Sequence, residues 1–379
     1  MKRKYYLLIF TAMVLYSFYA NLQFRLHLSK GFTKRFIPLS ENKCMESEKI
    51  YFKPDMEQVS LQFGDSPLGP ATTTSSRHRS QQSQSHFKQP CGKLHLRPEL
   101  VIIVAFVSWT LWSELENCCN ATGRLIVTQE NTQIGHVFNY ESKEKKTITV
   151  NEDIFQMLPK KSPFPKKPIK QCAVVGNGGI LYKSSCGSEI DQADFVFRLN
   201  LPPLIPEEDT GRKTDVVSAN PSILEHKFQS LTEKRKPFID KINTYGAALI
   251  LMSAFSYTGN TAIAFRVLHS LEDVGLNEKV IFFHPEYIKN LHLYWTKRGI
   301  QVKRLSSGFI LANAALELCE KVKLYGFWPF SKDLNGNEIT HHYYDNVLPN
   351  TRLHSMPDEF FYFVQMNTHR SVYLKVGNC

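Results

Sequence analysis

Lys170-Gln171-Cys172-Ala173-Val174-Val175-Gly176-Asn177-Gly178-Gly179-Ile180 is the stretch on which the fold turns. A short apolar run bounded by turn residues reads as a buried parallel strand, and the glycines let the backbone turn sharply beside a ligand. Asp194-Phe195-Val196-Phe197-Arg198-Leu199-Asn200 reads as a second strand, stopped by Pro202 and Pro203. Thr214-Asp215-Val216-Val217-Ser218-Ala219-Asn220 reads as a third, stopped by Pro221. In open α/β sheets ligands bind outside the carboxyl ends of the strands, and those ends here carry Asn177, Asn200 and Asn220. Their amides supply both donors and acceptors, which suits a nucleotide sugar or a phosphate. Taken alone, Gly176-Asn177-Gly178-Gly179 is explained equally well by a tight turn with no ligand. It is half of the dinucleotide fingerprint G-x-G-x-x-G, but Leu181 stands where the last glycine belongs. That argues against a nicotinamide-dependent oxidoreductase.

Further along, Ala247 to Leu251 and Val280 to Phe283 are apolar runs of strand length. Pro285 to Arg298 reads as a helix leading to a short strand at Val302-Lys303-Arg304. Phe309 to Cys319 is apolar nearly all round, the mark of a buried helix. Ser306-Ser307-Gly308 precedes it, and free N–H groups at such a helix start can hold a phosphate. Ordinary capping of a core helix accounts for the serines equally well. The alternation implies a mostly parallel sheet with helices on both faces.

The whole stretch from Lys170 to Ser222 resembles the long sialyl motif of animal sialyltransferases: the cysteine, the Gly-Asn-Gly-Gly turn, the Asp-Phe-Val-Phe-Arg strand and the Asn-Leu-Pro-Pro corner. Arg304-Leu305-Ser306-Ser307-Gly308, running through Cys319 to Trp328, resembles the small motif. His341-His342-Tyr343-Tyr344-Asp345 resembles the third motif, and His354-Ser355-Met356-Pro357-Asp358-Glu359 the very small H-x-x-x-x-E motif. Four motifs in the expected order identify the chain as a member of that family. His-Tyr-Tyr-Asp and Tyr-Gly-Phe-Trp-Pro-Phe resemble its α-2,8 branch, nearest type VI and then type V.

The resemblance implies a modified GT-A, Rossmann-like fold. It implies transfer of sialic acid from CMP-sialic acid to the 8-hydroxyl of a terminal sialic acid, with inversion and without a metal or other cofactor. Glycoprotein glycans are the expected acceptors, with gangliosides the alternative. A non-catalytic, membrane-anchored glycan-binding protein is the rival from another class, and retention of both motif histidines argues against it. By resemblance His354 is the general base and His342 stabilises the departing CMP. Asn177, Asn200, Ser306, Ser307 and Gly308 cradle the donor, and Trp328 lines its pocket, with core packing at a strand end as the alternative. Glu359 is read as orienting its loop or accepting an N–H at a helix start. The implied disulfides are Cys172–Cys319 and Cys186–Cys379. No D-x-D sequence occurs, in keeping with metal-independent transfer.

Met1-Lys2-Arg3-Lys4 ahead of an apolar run places the N-terminus in the cytosol and the rest in the lumen. The expected divisions are a tail at 1–4, a signal anchor at 5–21, a lumenal stem at 22–115 and a catalytic domain at 116–379, in a single-pass Golgi protein. Leu100 to Trp112 is strongly apolar but too short for a second span, and reads as a buried helix or strand. Eight cysteines in a lumenal chain predict a disulfide framework. Cys44, Cys91, Cys118 and Cys119 remain after the two implied pairs. The vicinal pair is not expected to bridge itself, so each would reach a stem cysteine or a partner chain, as in a homodimer. Asn120-Ala121-Thr122 is the only N-x-[ST] sequon and an expected glycan site.

Net charge is +11. A lumenal location excludes nucleic acid as the partner, leaving anionic donor and acceptor. Lys160, Lys161, Lys166, Lys167 and Lys170 read as a solvated linker or as an attraction for such an acceptor. Between Leu271 and Arg304, six basic residues are offset by Glu272, Asp273, Glu278 and Glu286. So balanced a surface is not expected to retain a long polyanionic product, because screening acts within about 8 Å.

Overall fold

The computed structural model describes residues 110–141, 146–348 and 353–379. The expected anchor, the stem up to residue 109, Cys44 and Cys91 lie outside them. Among the described residues no helix is long and apolar enough to cross a membrane.

Strands β1 (Val137–Asn139) and β2 (Thr147–Thr149) form a small antiparallel ribbon. The main sheet contains β3 (Ile169–Val175), β4 (Phe195–Arg198), β5 (Val216–Ser218), β6 (Leu249–Met252), β7 (Val280–Phe282), β8 (Cys319–Tyr325) and β9 (Tyr373–Lys375). All seven are parallel, in the order β7-β6-β5-β4-β3-β8-β9. From Cys172 onward β3 is buried on both faces, and alternate side chains feed different clusters. Cys172 and Val174 of β3 join one, Ala173 and Val175 another. The chain winds outward from β3 to β7 and then returns to the opposite side of β3 with β8. Winding therefore reverses between β3 and β8, which opens a crevice at their carboxyl ends.

The helix Ser307–Leu318 is buried from Gly308 to Leu318. It runs straight into β8, where Cys319 is bonded to Cys172 with Cα atoms 6.1 Å apart. Cys186 is bonded to Cys379, as the resemblance implied.

The structure corrects several expectations. Cys118 and Cys119 are bonded to each other, with Cα atoms 3.8 Å apart. Cys119 is buried in the core and Cys118 packs at its margin, so this pair is turned toward the domain and not toward a stem or partner cysteine. Val302-Lys303-Arg304 is not a strand. Its backbone is engaged elsewhere: Val302 O meets His292 Nε2 at 3.0 Å, and Arg304 N donates to Leu353 O at 3.1 Å. The helical segment 110–118 contains the end of the apolar Leu100–Trp112 run. It inserts Leu115 into the core, while Trp112 Nε1 donates to Glu317 O at 3.3 Å. The expected boundary between 115 and 116 falls inside this helix. The five lysines from 160 to 170 are exposed and precede or open β3, at the end of the sheet away from the crevice.

Candidate active site

The floor of the crevice is backbone against backbone. Gly176 N donates to Tyr325 O at 2.7 Å, and Gly178 N to Gly326 O at 2.8 Å. A Cβ on Gly176 would stand 2.6 Å from Gly326 O, and one on Gly179 only 2.0 Å from Thr340 O. These glycines are needed for close approach of neighbouring segments, a reason the sequence reading did not anticipate. The third motif lies on the turn: Gly179 N donates to His341 O at 3.2 Å and Tyr343 N to Asn177 O at 2.9 Å. His342 is thereby bridged to Gly178. Its Nδ1 lies 2.7 Å from Asp345 Oδ1, and its ring stacks on Tyr344 with centroids 5.2 Å apart. A carboxylate only accepts, so Nδ1 carries a proton and Nε2 remains for another partner.

The three asparagines at the strand ends are brought together. Asn177 Nδ2 donates to Leu199 O at 2.8 Å, while its buried Oδ1 has no partner among the described residues. Asn200, at φ 60°, takes the left-handed conformation that asparagine tolerates. Its Oδ1 accepts from Asn220 N at 3.1 Å, and Asn220 Nδ2 reaches Ser307 Oγ at 3.3 Å.

Ser306 caps the buried helix: its Oγ accepts from Phe309 N at 3.0 Å. The same hydroxyl donates to Glu359 Oε2 at 2.5 Å, and Ser306 N donates to Glu359 Oε1 at 2.7 Å. Both donors of Ser306 are thus spent on Glu359, and the open first-turn N–H groups belong to Ser307 and Gly308. Gly308 lies where a Cβ would meet Leu199 Cδ1 and Phe327 Cε1, each at 2.9 Å. Glu359 does accept an N–H at a helix start, but of the helix Ser307–Leu318, its own being Met356–Thr368.

His354 Nδ1 lies 2.8 Å from Arg304 O. A carbonyl only accepts, so Nδ1 is the protonated nitrogen and Nε2 keeps its lone pair. Burial holds the His354 pKa below its ordinary value; the bond to Arg304 O opposes this and the Arg304 charge reinforces it. The ring is neutral near pH 7, as a proton acceptor must be. Trp328 is only 4% exposed. Its Nε1 donates to Lys332 O at 2.7 Å and its ring packs on Phe330 and Phe360, so packing accounts for its contacts.

Several participants were missed from sequence. Arg198 is fully buried, donating to Thr210 O at 2.9 Å and to Lys213 O at 2.8 Å, and so props the strand end carrying Asn200. The Tyr245 and Tyr343 hydroxyls donate to Pro202 O and Pro203 O, fixing the Asn-Leu-Pro-Pro corner. Nothing in their spacing announced this. Among the described residues no group of three or more His, Cys, Asp or Glu could hold a metal ion.

Burial pushes the Glu359 pKa up to about 7. Its folded-state pKa is therefore raised, and the folded chain holds the proton through a window where the unfolded chain has lost it. Stability from this group falls as pH rises from about 4.5 toward 7. Glu359→Gln removes the contribution. Its melting temperature, measured relative to the parent, is expected to rise between pH 5 and pH 7; a difference independent of pH would refute the assignment.

A crevice at a switch point, with amides and an open helix start at its edge and a neutral histidine fastened beside that start, suits the transfer of a group from an anionic donor. Residues 126–371 match Glycosyltransferase family 29 (sialyltransferase), and the chain belongs to that family. It is a sialyltransferase, using CMP-sialic acid as donor. The chain is 47% identical over 269 residues to mouse α-2,8-sialyltransferase 8F, covering 70% of this chain and 68% of that protein. Rat α-2,8-sialyltransferase 8E is 45% identical over 269 residues, covering 70% and 72%. The crystal structure of a mammalian sialyltransferase shares the fold, with a TM-score of 0.50, 24% identity, and coverage of 70% of this chain and 94% of that one.

Proposed function

We propose that this enzyme transfers sialic acid to the 8-hydroxyl of a terminal sialic acid on glycoprotein glycans, with inversion. The observation that carries the linkage is the 47% identity over 269 residues to an α-2,8-sialyltransferase. His354 Nε2 takes the proton of the attacking hydroxyl. As the bond from the sialic acid anomeric carbon to the phosphate oxygen breaks, charge grows on that oxygen. His342 and the first-turn N–H groups of Ser307 and Gly308 answer it. Asn177 and Asn200 hold the donor, Asn177 through the Oδ1 that has no partner among the described residues. Ser306 and Glu359 position the helix start, and Trp328 stiffens the loop behind it.

The test is incubation of the full chain with CMP-sialic acid and a panel of sialylated and unsialylated acceptors, with linkage analysis and sizing of the products. The expected product is an α-2,8 bond with one or a few additions. Within the Leu271–Arg304 surface, Arg298 is paired with Glu114 at 2.6 Å and Lys279 donates to Gly246 O at 2.6 Å, leaving a weak net field. Products extending well beyond ten residues would overturn the length assignment. Transfer only to unsialylated galactose would overturn the linkage. Gangliosides in place of glycoproteins are the second reading, and the same panel separates them.

A Golgi membrane location, with the domain lumenal behind an anchor at 5–21, completes the proposal, a homodimer being compatible with it. Asn120 is exposed, and its Oδ1 accepts from Gly123 N at 2.9 Å. In cells an endoglycosidase-sensitive glycan on Asn120 is expected, lost in Asn120→Gln. A cytosolic C-terminus would overturn the topology.

A further inference from the structure

A terminal sialic acid differs from a neutral sugar in carrying a carboxylate on the same monosaccharide as its 8-hydroxyl, the one on the anomeric carbon and the other on the exocyclic chain. A cation close to His354 is the group that would recognise that carboxylate while the histidine takes the hydroxyl proton. This inference therefore rests on the acceptor class proposed above. Most cations whose contacts the structure shows are already committed. Arg198 is buried among carbonyls, Arg298 pairs with Glu114, Arg235 with Asp273 and Arg124 with Glu286. Arg304 makes no ion pair among the described residues, and its side chain is half-buried. Its backbone is stitched to the histidine segment on both sides, N–H to Leu353 O at 3.1 Å and carbonyl to His354 Nδ1 at 2.8 Å.

The Arg304 guanidinium carbon lies 3.5 Å from the centroid of the Tyr257 ring. Tyr257 is in turn held by a hydrogen bond from its hydroxyl to Glu141 Oε2 at 2.8 Å. Stacking on a ring uses the face of a guanidinium and leaves the N–H groups around its edge free. Those edges are the part that meets a carboxylate with two parallel hydrogen bonds. We propose that Arg304 binds the carboxylate of the acceptor sialic acid and so presents its 8-hydroxyl to His354. Cation and base are rooted one hydrogen bond apart, so a single monosaccharide can engage both. Neutral termini lack the anchoring group and are rejected by its absence.

The test compares a sialylated galactoside with its carboxyl methyl ester as acceptors for the full-length enzyme. The parent enzyme is expected to show a KM about 10- to 100-fold higher for the ester. Arg304→Gln should raise the KM for the free acid by a similar factor, with a much smaller change in kcat. Its acid-to-ester ratio should collapse toward one, while KM for CMP-sialic acid stays unchanged. Arg304→Lys should keep part of the discrimination, because the charge survives and the fork is lost. If donor binding is also lost in Arg304→Gln, the ratio in Arg304→Lys decides. An Arg304→Gln enzyme, or an unaltered Arg304→Lys ratio in that case, that discriminates as the parent does would overturn the proposal. A parent enzyme that serves unsialylated galactosides equally well would instead overturn the acceptor class on which it rests.

Discussion

His354→Ala is expected to lower turnover by about 10²- to 10⁴-fold while leaving CMP affinity intact. The magnitude is that of removing a positioned proton acceptor, and the selectivity follows from geometry. Nδ1 is committed to Arg304 O, so the ring has one job left, at Nε2. The groups proposed to hold the donor lie instead on the Gly-Asn-Gly-Gly turn and at the start of the helix Ser307–Leu318. Because burial lowers the His354 pKa, the acid limb of kcat/KM should fall below the ordinary histidine range. Activity then persists at a lower pH than an exposed histidine would allow. His342→Ala is the contrast: bridged to Gly178, it should weaken turnover and donor affinity together. Calorimetric CMP binding and steady-state rates for both variants check the division. A near-normal rate in His354→Ala would move the base elsewhere.

Cys172→Ser is expected to cost the most stability of any single change at a cysteine. The bond closes a loop of 147 residues, and the chain-entropy estimate for such a loop is about 5 kcal/mol. Whole domains are stable by only about 5–15 kcal/mol, so the variant should fail to accumulate at 37 °C. Entropy alone would make the 193-residue Cys186–Cys379 loop equivalent. Packing breaks the tie: Cys172 lies inside the sheet and Cys319 at the junction of buried helix and strand, whereas Cys379 is an exposed terminus. Denaturant midpoints of Cys172→Ser and Cys379→Ser should therefore differ in that order. A Cys172→Ser protein within about 1 kcal/mol of the parent would show that the cross-link is dispensable.

The strands most legible in the sequence were those buried on both faces. β3 through β7 each appear as an apolar run, several ended by proline, and the structure places each within a few residues of its expected position. β8 was not read as a strand because Glu320, Lys321 and Lys323 break its apolar run. Two of these are exposed, and Lys323 pairs with Glu189 at 2.8 Å, a partner more than a hundred positions away. Val302-Lys303-Arg304 failed in the opposite sense. It has the composition of an edge strand, but its hydrogen bonds go to His292 and to Leu353. Motif order named residues that do converge, yet not what each one touches. Ser306 looked like a donor ligand and is held by Glu359, while Arg304, a motif residue given no role, supports the histidine. Side-chain commitments of this kind depend on pairs distant in sequence, where local spacing carries no information.

The clasp between residues 353–359 and 304–306 has an implication for accuracy. In any assembled device, misalignment between two working parts accumulates over every joint that separates them. Here the histidine segment proposed to face the acceptor and the helix start proposed to face the leaving group are fastened directly to each other. One backbone bond, one imidazole bond and the two bonds of a single carboxylate do the fastening. Breathing of the distant β7 edge adds little error between them, because no joint of that edge lies in the chain of dimensions. The rest of the sheet can drift, and the surrounding loops can be rewritten, while the spacing between the His354 segment and the start of the helix Ser307–Leu318 is kept.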